Sequence, residues 1–164
     1  MKKIIIFFSS TLYIFFLSSC SHSCPKEELE PIIDQYVKYW NTGEFVNIDK
    51  ILHPEFELRM TPKYEAEKGI DLFKKNVIKW RTAYPDFHIV VKEKFCTNKE
   101  AAGIWEITAT NTGEGSHPPT GKSIRITGMS IFHFLDGKIK DDWIDSNNLY
   151  WLSQLGFELK PPSE

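Results

Sequence analysis

The apolar residues of this 164-residue chain change their period at one point, and that change limits the folds open to it. Before Tyr84-Pro85-Asp86 they recur at helical spacing; after it they recur every second residue. Pro85 suits the boundary, because a proline disfavours helical backbone at the residue before it. Ile32, Ile33, Tyr36, Val37 and Trp40 mark a first helix, with Pro31 in its first turn and Asn41-Thr42-Gly43 as its stop. Residues 44–52 read as a short second helix closed by His53-Pro54, and residues 55–60 as a strand. Gly69-Ile70-Asp71 opens a third helix that buries Ile70, Phe73, Val77, Ile78 and Trp80. Residues 87–95, 103–110, 123–135 and 138–144 then read as an antiparallel meander, with Asp136-Gly137 at one turn. A last short helix over residues 148–155 stops at Gly156. Helices followed by a long sheet predict an α+β domain whose helices cover one sheet face. If that antiparallel sheet curls around the first helix, one end closes on apolar residues and the other opens as the mouth of an internal cavity.

The N-terminus has a different logic. Lys2-Lys3 precedes an almost wholly apolar run over residues 4–17, and Leu17-Ser18-Ser19-Cys20 follows. That order is the pattern of a bacterial lipoprotein signal. As a helix the run spans only about 21 Å against a hydrocarbon core of about 30 Å, which disfavours a permanent span. Cleavage before Cys20 and acylation there predict a domain tethered to a membrane of the bacterial cell envelope, since two or more acyl chains anchor stably where one is marginal. The chain divides into a signal over residues 1–19, a tether over 20–29, one domain over 30–157 and a tail over 158–164.

Without Lys2 and Lys3 the chain carries 18 basic and 22 acidic residues, a formal charge of −4. No clustered basic face marks a nucleic-acid partner. With Cys20 acylated, Cys24 and Cys96 remain, one in the tether and one in a strand. A disulfide between them is not expected, and three cysteines without Cys-x-x-Cys spacing make no metal site.

Trp105, Pro118-Pro119-Thr120-Gly121-Lys122, Asp136-Gly137-Lys138, Trp143 and Gln154-Leu155-Gly156 form a train of motifs. With the Trp40-Asn41-Thr42-Gly43 helix end and Ala83-Tyr84-Pro85-Asp86-Phe87, they resemble the SnoaL-like polyketide cyclase (ester cyclase) family of the cone-shaped nuclear transport factor 2-like superfamily. The resemblance implies the cone fold and a ring-closing aldol reaction without metal or organic cofactor. It also implies an acid/base aspartate four residues after the tryptophan matching Trp143, where this chain has Asn147. An amide takes up no proton at useful pH. Where the family commonly has Thr-His-Thr-Gly, this chain reads Thr110-Asn111-Thr112-Gly113.

Asp145 is the replacement this reading puts forward as general acid/base, because strand parity places it with Ile139, Asp141 and Trp143. Asp141, Asp142 and Asp145 also fit a solvated, charged strand end. On the neighbouring strand Arg125, Thr127, Met129, Ile131 and His133 share a face, and His133 is placed to pair with a carboxylate. Tyr36, Trp40, Trp105, Met129 and Trp143 are expected to wall the cavity, and Asn111 and Asn147 to hold ligand oxygens; Trp80 and Trp151 are assigned to packing. His117 lies in an exposed His-Pro-Pro turn near the rim, and His53 and His88 carry less functional weight. Three functions fit. One is a lipoprotein that binds a small, moderately apolar molecule without the aldol chemistry. The second is a cofactor-independent cyclase, isomerase or hydrolase using Asp145, and the third a domain that pairs with a second copy through its sheet.

Overall fold

The computed structural model describes residues 26–161 apart from 61–64 and Asn98. The elements run α1 (Lys26–Thr42), α2 (Ile48–Ile51), β1 (Leu52–Met60), β2 (Glu67–Lys68), α3 (Ile70–Ala83), β3 (His88–Cys96), β4 (Glu100–Thr110), β5 (Ser123–Leu135), β6 (Lys138–Ser146) and α4 (Asn148–Gln154). Cys20 and Cys24 lie outside the described residues. No described helix is long and apolar enough to cross a membrane.

Among the described residues one sheet holds six strands in the order β2-β1-β6-β5-β4-β3. The expected meander is present from β3 to β6, but the sheet is not antiparallel throughout: β1 lies parallel to β6. The chain reaches that position by a long crossover through α3 and the meander, as parallel pairing requires. The second helix is shorter than its apolar pattern suggests. Asn47, at φ 54°, delays its start, and β1 begins at Leu52. Pro54 therefore sits inside β1, where the register shifts between Leu52 and Glu57 and no ladder donor is needed from it.

Two further register shifts matter for the interior. Lys92 is an extra residue in β3, and Lys140 is an extra residue in β6, where His133 faces Asp141 but Phe134 faces Ile139. Such bulges bend a strand and add twist, so the sheet curls over the helices. The Lys140 bulge also breaks the alternation of sides. Ile139 and Asp142 both point inward, and Asp141, Trp143 and Asp145 point away.

The concave face packs on α1 and α3. Tyr36 stacks on Phe73, Phe56 meets Phe73 edge-on, and Trp40 crosses Phe73 nearly perpendicularly. Ile33, Tyr39, Leu52, Leu58 and Val77 complete a buried core, whereas Ile78, expected inside, is exposed. The end of α1 is tied to edge strand β3 by Asn41, whose amide donates to the Ile89 carbonyl at 2.9 Å and accepts from its N–H at 2.7 Å. Arg81 of α3 donates to the Trp40 and Phe87 carbonyls.

Candidate functional site

Between α1 and the concave sheet face lies a cavity of about 110 Å³, counted as the space open to the centre of a water molecule. One water needs about 10–15 Å³ on this measure, so the cavity has room for several waters or a small organic molecule. From α1 come Ile33, Tyr36, Val37 and Trp40; from the sheet come Trp105, Ile126, Phe132 and Ile144. Met60, Trp80, Ser146, Asn148 and Trp151 also contribute to its wall.

In this apolar enclosure stands one carboxyl group, that of Asp142, 1% exposed. Its Oδ2 accepts a 2.8 Å hydrogen bond from the Tyr36 hydroxyl. Its buried Oδ1 has no hydrogen-bond partner among the described residues. Beside it is Ser130, whose hydroxyl oxygen accepts from Trp105 Nε1 at 3.1 Å and so keeps its own proton to give. The Trp105 ring reaches this position because Gly128 lies beneath it: a Cβ there would come within 2.2 Å of the ring.

Burial pushes the Asp142 carboxyl up to about 7. The Tyr36 and Ser130 hydroxyls oppose the rise and nearby Asp141 adds to it. Burial, and then the charge of Asp142, holds the Tyr36 phenol well above its usual range. Desolvation disfavours the charged form of each group. An acid near neutrality can give or take a proton at ordinary pH, and its unpartnered oxygen is a ready contact for a ligand atom.

The expected residues divide between two sides of the sheet. Tyr36, Trp40 and Trp105 do line the cavity. Trp143 and Asp145 do not, because the Lys140 bulge puts them on the opposite face from Ile139, and Met129 and His133 do not, because they lie on the β5 face that pairs with Asp145 and Asp141. Trp143 is 36% exposed with the Arg59 guanidinium over its ring, and Met129 pairs with Asp145 on the same outer face. His133 does meet a carboxylate, Asp141, at 2.5 Å, but on that outer face.

Neither asparagine reaches the main cavity. Asn147 caps α4 by accepting from the Tyr150 N–H at 2.9 Å. Asn111 is 2% exposed and committed to the chain itself, donating to the Ala83 carbonyl and accepting from Thr120. Trp80 and Trp151, assigned to packing, both reach the cavity wall. His53 accepts from the Glu55 N–H, and His88 is exposed. Among the described residues no three His, Cys, Asp or Glu side chains gather as metal ligands. Asp142 thus departs from the solvated strand end that its sequence neighbours suggest; the signal that distinguishes it is Phe132 opposite it, which belongs to the buried face of β5.

A family model described as SnoaL-like polyketide cyclase matches residues 30–155. Among solved structures, TsrD from Streptomyces laurentii superposes with a TM-score of 0.71 at 20% identity, over 80% of this chain and 96% of that one. A SnoaL-like polyketide cyclase from Agrobacterium tumefaciens superposes with a TM-score of 0.64 at 17% identity, over 78% and 98%. These likenesses establish the cone fold. No curated protein matches the sequence.

Proposed function

Since the chain belongs to the SnoaL-like polyketide cyclase family, we propose that its cone cavity binds a small, moderately apolar molecule bearing an oxygen, and that Asp142 moves a proton to or from it. The observation that carries this reading is the buried Asp142 carboxyl with one oxygen held by Tyr36 and the other unpartnered. As carboxylate, Asp142 abstracts a proton beside a carbonyl; as acid, it returns the proton elsewhere on the same molecule. The Tyr36 and Ser130 hydroxyls favour the charged form that stands before the first step and after the second, and the apolar wall excludes bulk water. The reaction class is cofactor-independent ring closure or isomerisation. In a substrate screen of small cyclic and linear ketones, Asp142→Asn should reduce turnover by about a hundredfold or more. Undiminished turnover in that variant would remove Asp142 from the chemistry.

A second reading, binding without reaction, is favoured by Asn147, which stands where the family resemblance puts its acid and here serves as a helix cap. It predicts saturable ketone binding with no turnover in either protein. The lipoprotein pattern ending at Cys20 supports a location in the cell envelope under either reading. The exposed Met129, Ile131 and Trp143 side chains supply an apolar face for a second copy, which Ile131→Lys should weaken in sedimentation experiments.

A further inference from the structure

A second cavity, of about 90 Å³, shares the Trp80 and Trp151 rings with the cavity that holds Asp142. Its chemistry differs from that of the first. Lys79, Tyr84, Ser116 and His117 bring cationic or hydrogen-bond-donating groups to it, and no acidic side chain lines it. Tyr84 is 3% exposed, and its hydroxyl accepts from Trp151 Nε1 at 3.1 Å, which leaves the phenolic proton to donate. The Asn111 amide lines it too, with its carbonyl oxygen already taken by Thr120.

The site is held together by close backbone packing. The Gly113 N–H donates to the Ala83 carbonyl at 3.1 Å. A Cβ on Gly113 would lie 1.8 Å from the Thr82 carbonyl oxygen, and one on Gly115 would lie 2.7 Å from the Ala83 Cβ. Only glycine allows the loop to sit this close to the end of α3, which brings Ser116 and His117 opposite Lys79. His117 is further steadied by the Phe157 ring at 4.7 Å. The other wall is aromatic: Trp80 lies 5.2 Å from Trp151 and stacks on Tyr84 at 5.6 Å.

We propose that this second cavity binds a small carboxylate carried on a ring, the ring lying against Trp80 and Trp151 and the carboxylate meeting Lys79, His117 and the Tyr84 hydroxyl. Donors without a competing acid select an anion, and charge-assisted bonds to it are stronger than neutral ones. Because Trp80 and Trp151 also wall the main cavity, an occupant here sets the shape of that wall.

The test compares phenylacetate with neutral phenylacetamide on the full chain, following the indole N–H signals by nuclear magnetic resonance. Phenylacetate should shift Trp80 and Trp151 and bind about tenfold more tightly than the amide. Lys79→Gln/His117→Gln should bring the two affinities together without weakening the amide. Asp142→Asn, which alters only the main cavity, should leave the acid preference in place. Loss of ketone binding alone would count against the reading of the main cavity and leave this one standing. Equal affinities in the unmodified protein, an acid preference that survives the double substitution, shifts confined to Trp40 and Trp105, or no shift by phenylacetate at millimolar concentration would each overturn the proposal.

Discussion

Keeping a carboxylic acid 1% exposed among aromatic rings is costly once it ionises, and Asp142 carries that cost with one oxygen unpartnered. Its folded-state value near 7 lies above the ordinary value of 3.8, so between those two values the folded protein binds more protons than the unfolded chain. Stability therefore falls as pH rises through that window and levels off above pH 7. Asp142→Asn, which keeps an acceptor for Tyr36 but carries no charge, should gain on the unmodified protein as pH rises. Thermal unfolding at pH 5 and pH 8 checks this. The relative gain should be largest at pH 8, at most on the order of 4 kcal/mol from the full shift. Equal differences at both pH values would mean that Asp142 titrates normally. Asp145, read from the sequence as the base, lies on the outer face, so Asp145→Asn should leave ketone binding and any turnover within about twofold.

At the scale of elements, the period of two located each strand of the meander, and the period of 3.6 located α1 and α3. Parity along β6 failed because a single extra residue, Lys140, separates Ile139 from the Asp141–Asp142 pair. A bulge built from lysine, with no glycine or proline, leaves no mark in a hydrophobic pattern. The parallel seat of β1 was equally hidden, since pairing partners distant in sequence share no local signal. Asn41 was legible as a helix stop but not as the clamp on edge strand β3. Asn41→Ala removes both bonds to Ile89 and should cost about 1–3 kcal/mol in urea unfolding, with faster hydrogen exchange at the Ile89 amide. Unchanged exchange there would show that the clamp contributes nothing. Gly128→Ala, which drives a methyl into Trp105, should destabilise by about 1–3 kcal/mol and weaken ketone binding in the main cavity.

Across the whole molecule, the motif train from Trp105 to Gly156 identified the cone, while the site inside it depended on which side of the sheet each residue occupies. Trp40 and Trp105 were legible as wall residues because each sits at a position that matches the family's motifs, and neither follows an extra residue in its own element. Asp142 was not, because it follows the bulge and carries the charge that marks an exposed position. Outside the described residues, the Leu17-Ser18-Ser19-Cys20 pattern predicts that Cys20→Ala abolishes labelling with radioactive palmitate and releases the protein from the membrane fraction. Retained labelling would refute the anchor at that residue.

The proposed chemistry needs a carboxyl inside the cone that exchanges its proton near neutral pH. A titration of the Asp142 side-chain carboxyl by carbon-13 nuclear magnetic resonance, assigned with Asp142→Asn, tests it most directly. The midpoint should lie near the value of about 7 that burial imposes, and move upward when Tyr36→Phe removes the hydroxyl that favours the charged form. A midpoint in the ordinary aspartate range, about 4, would contradict it and leave the cavity without a proton-transfer group at neutral pH.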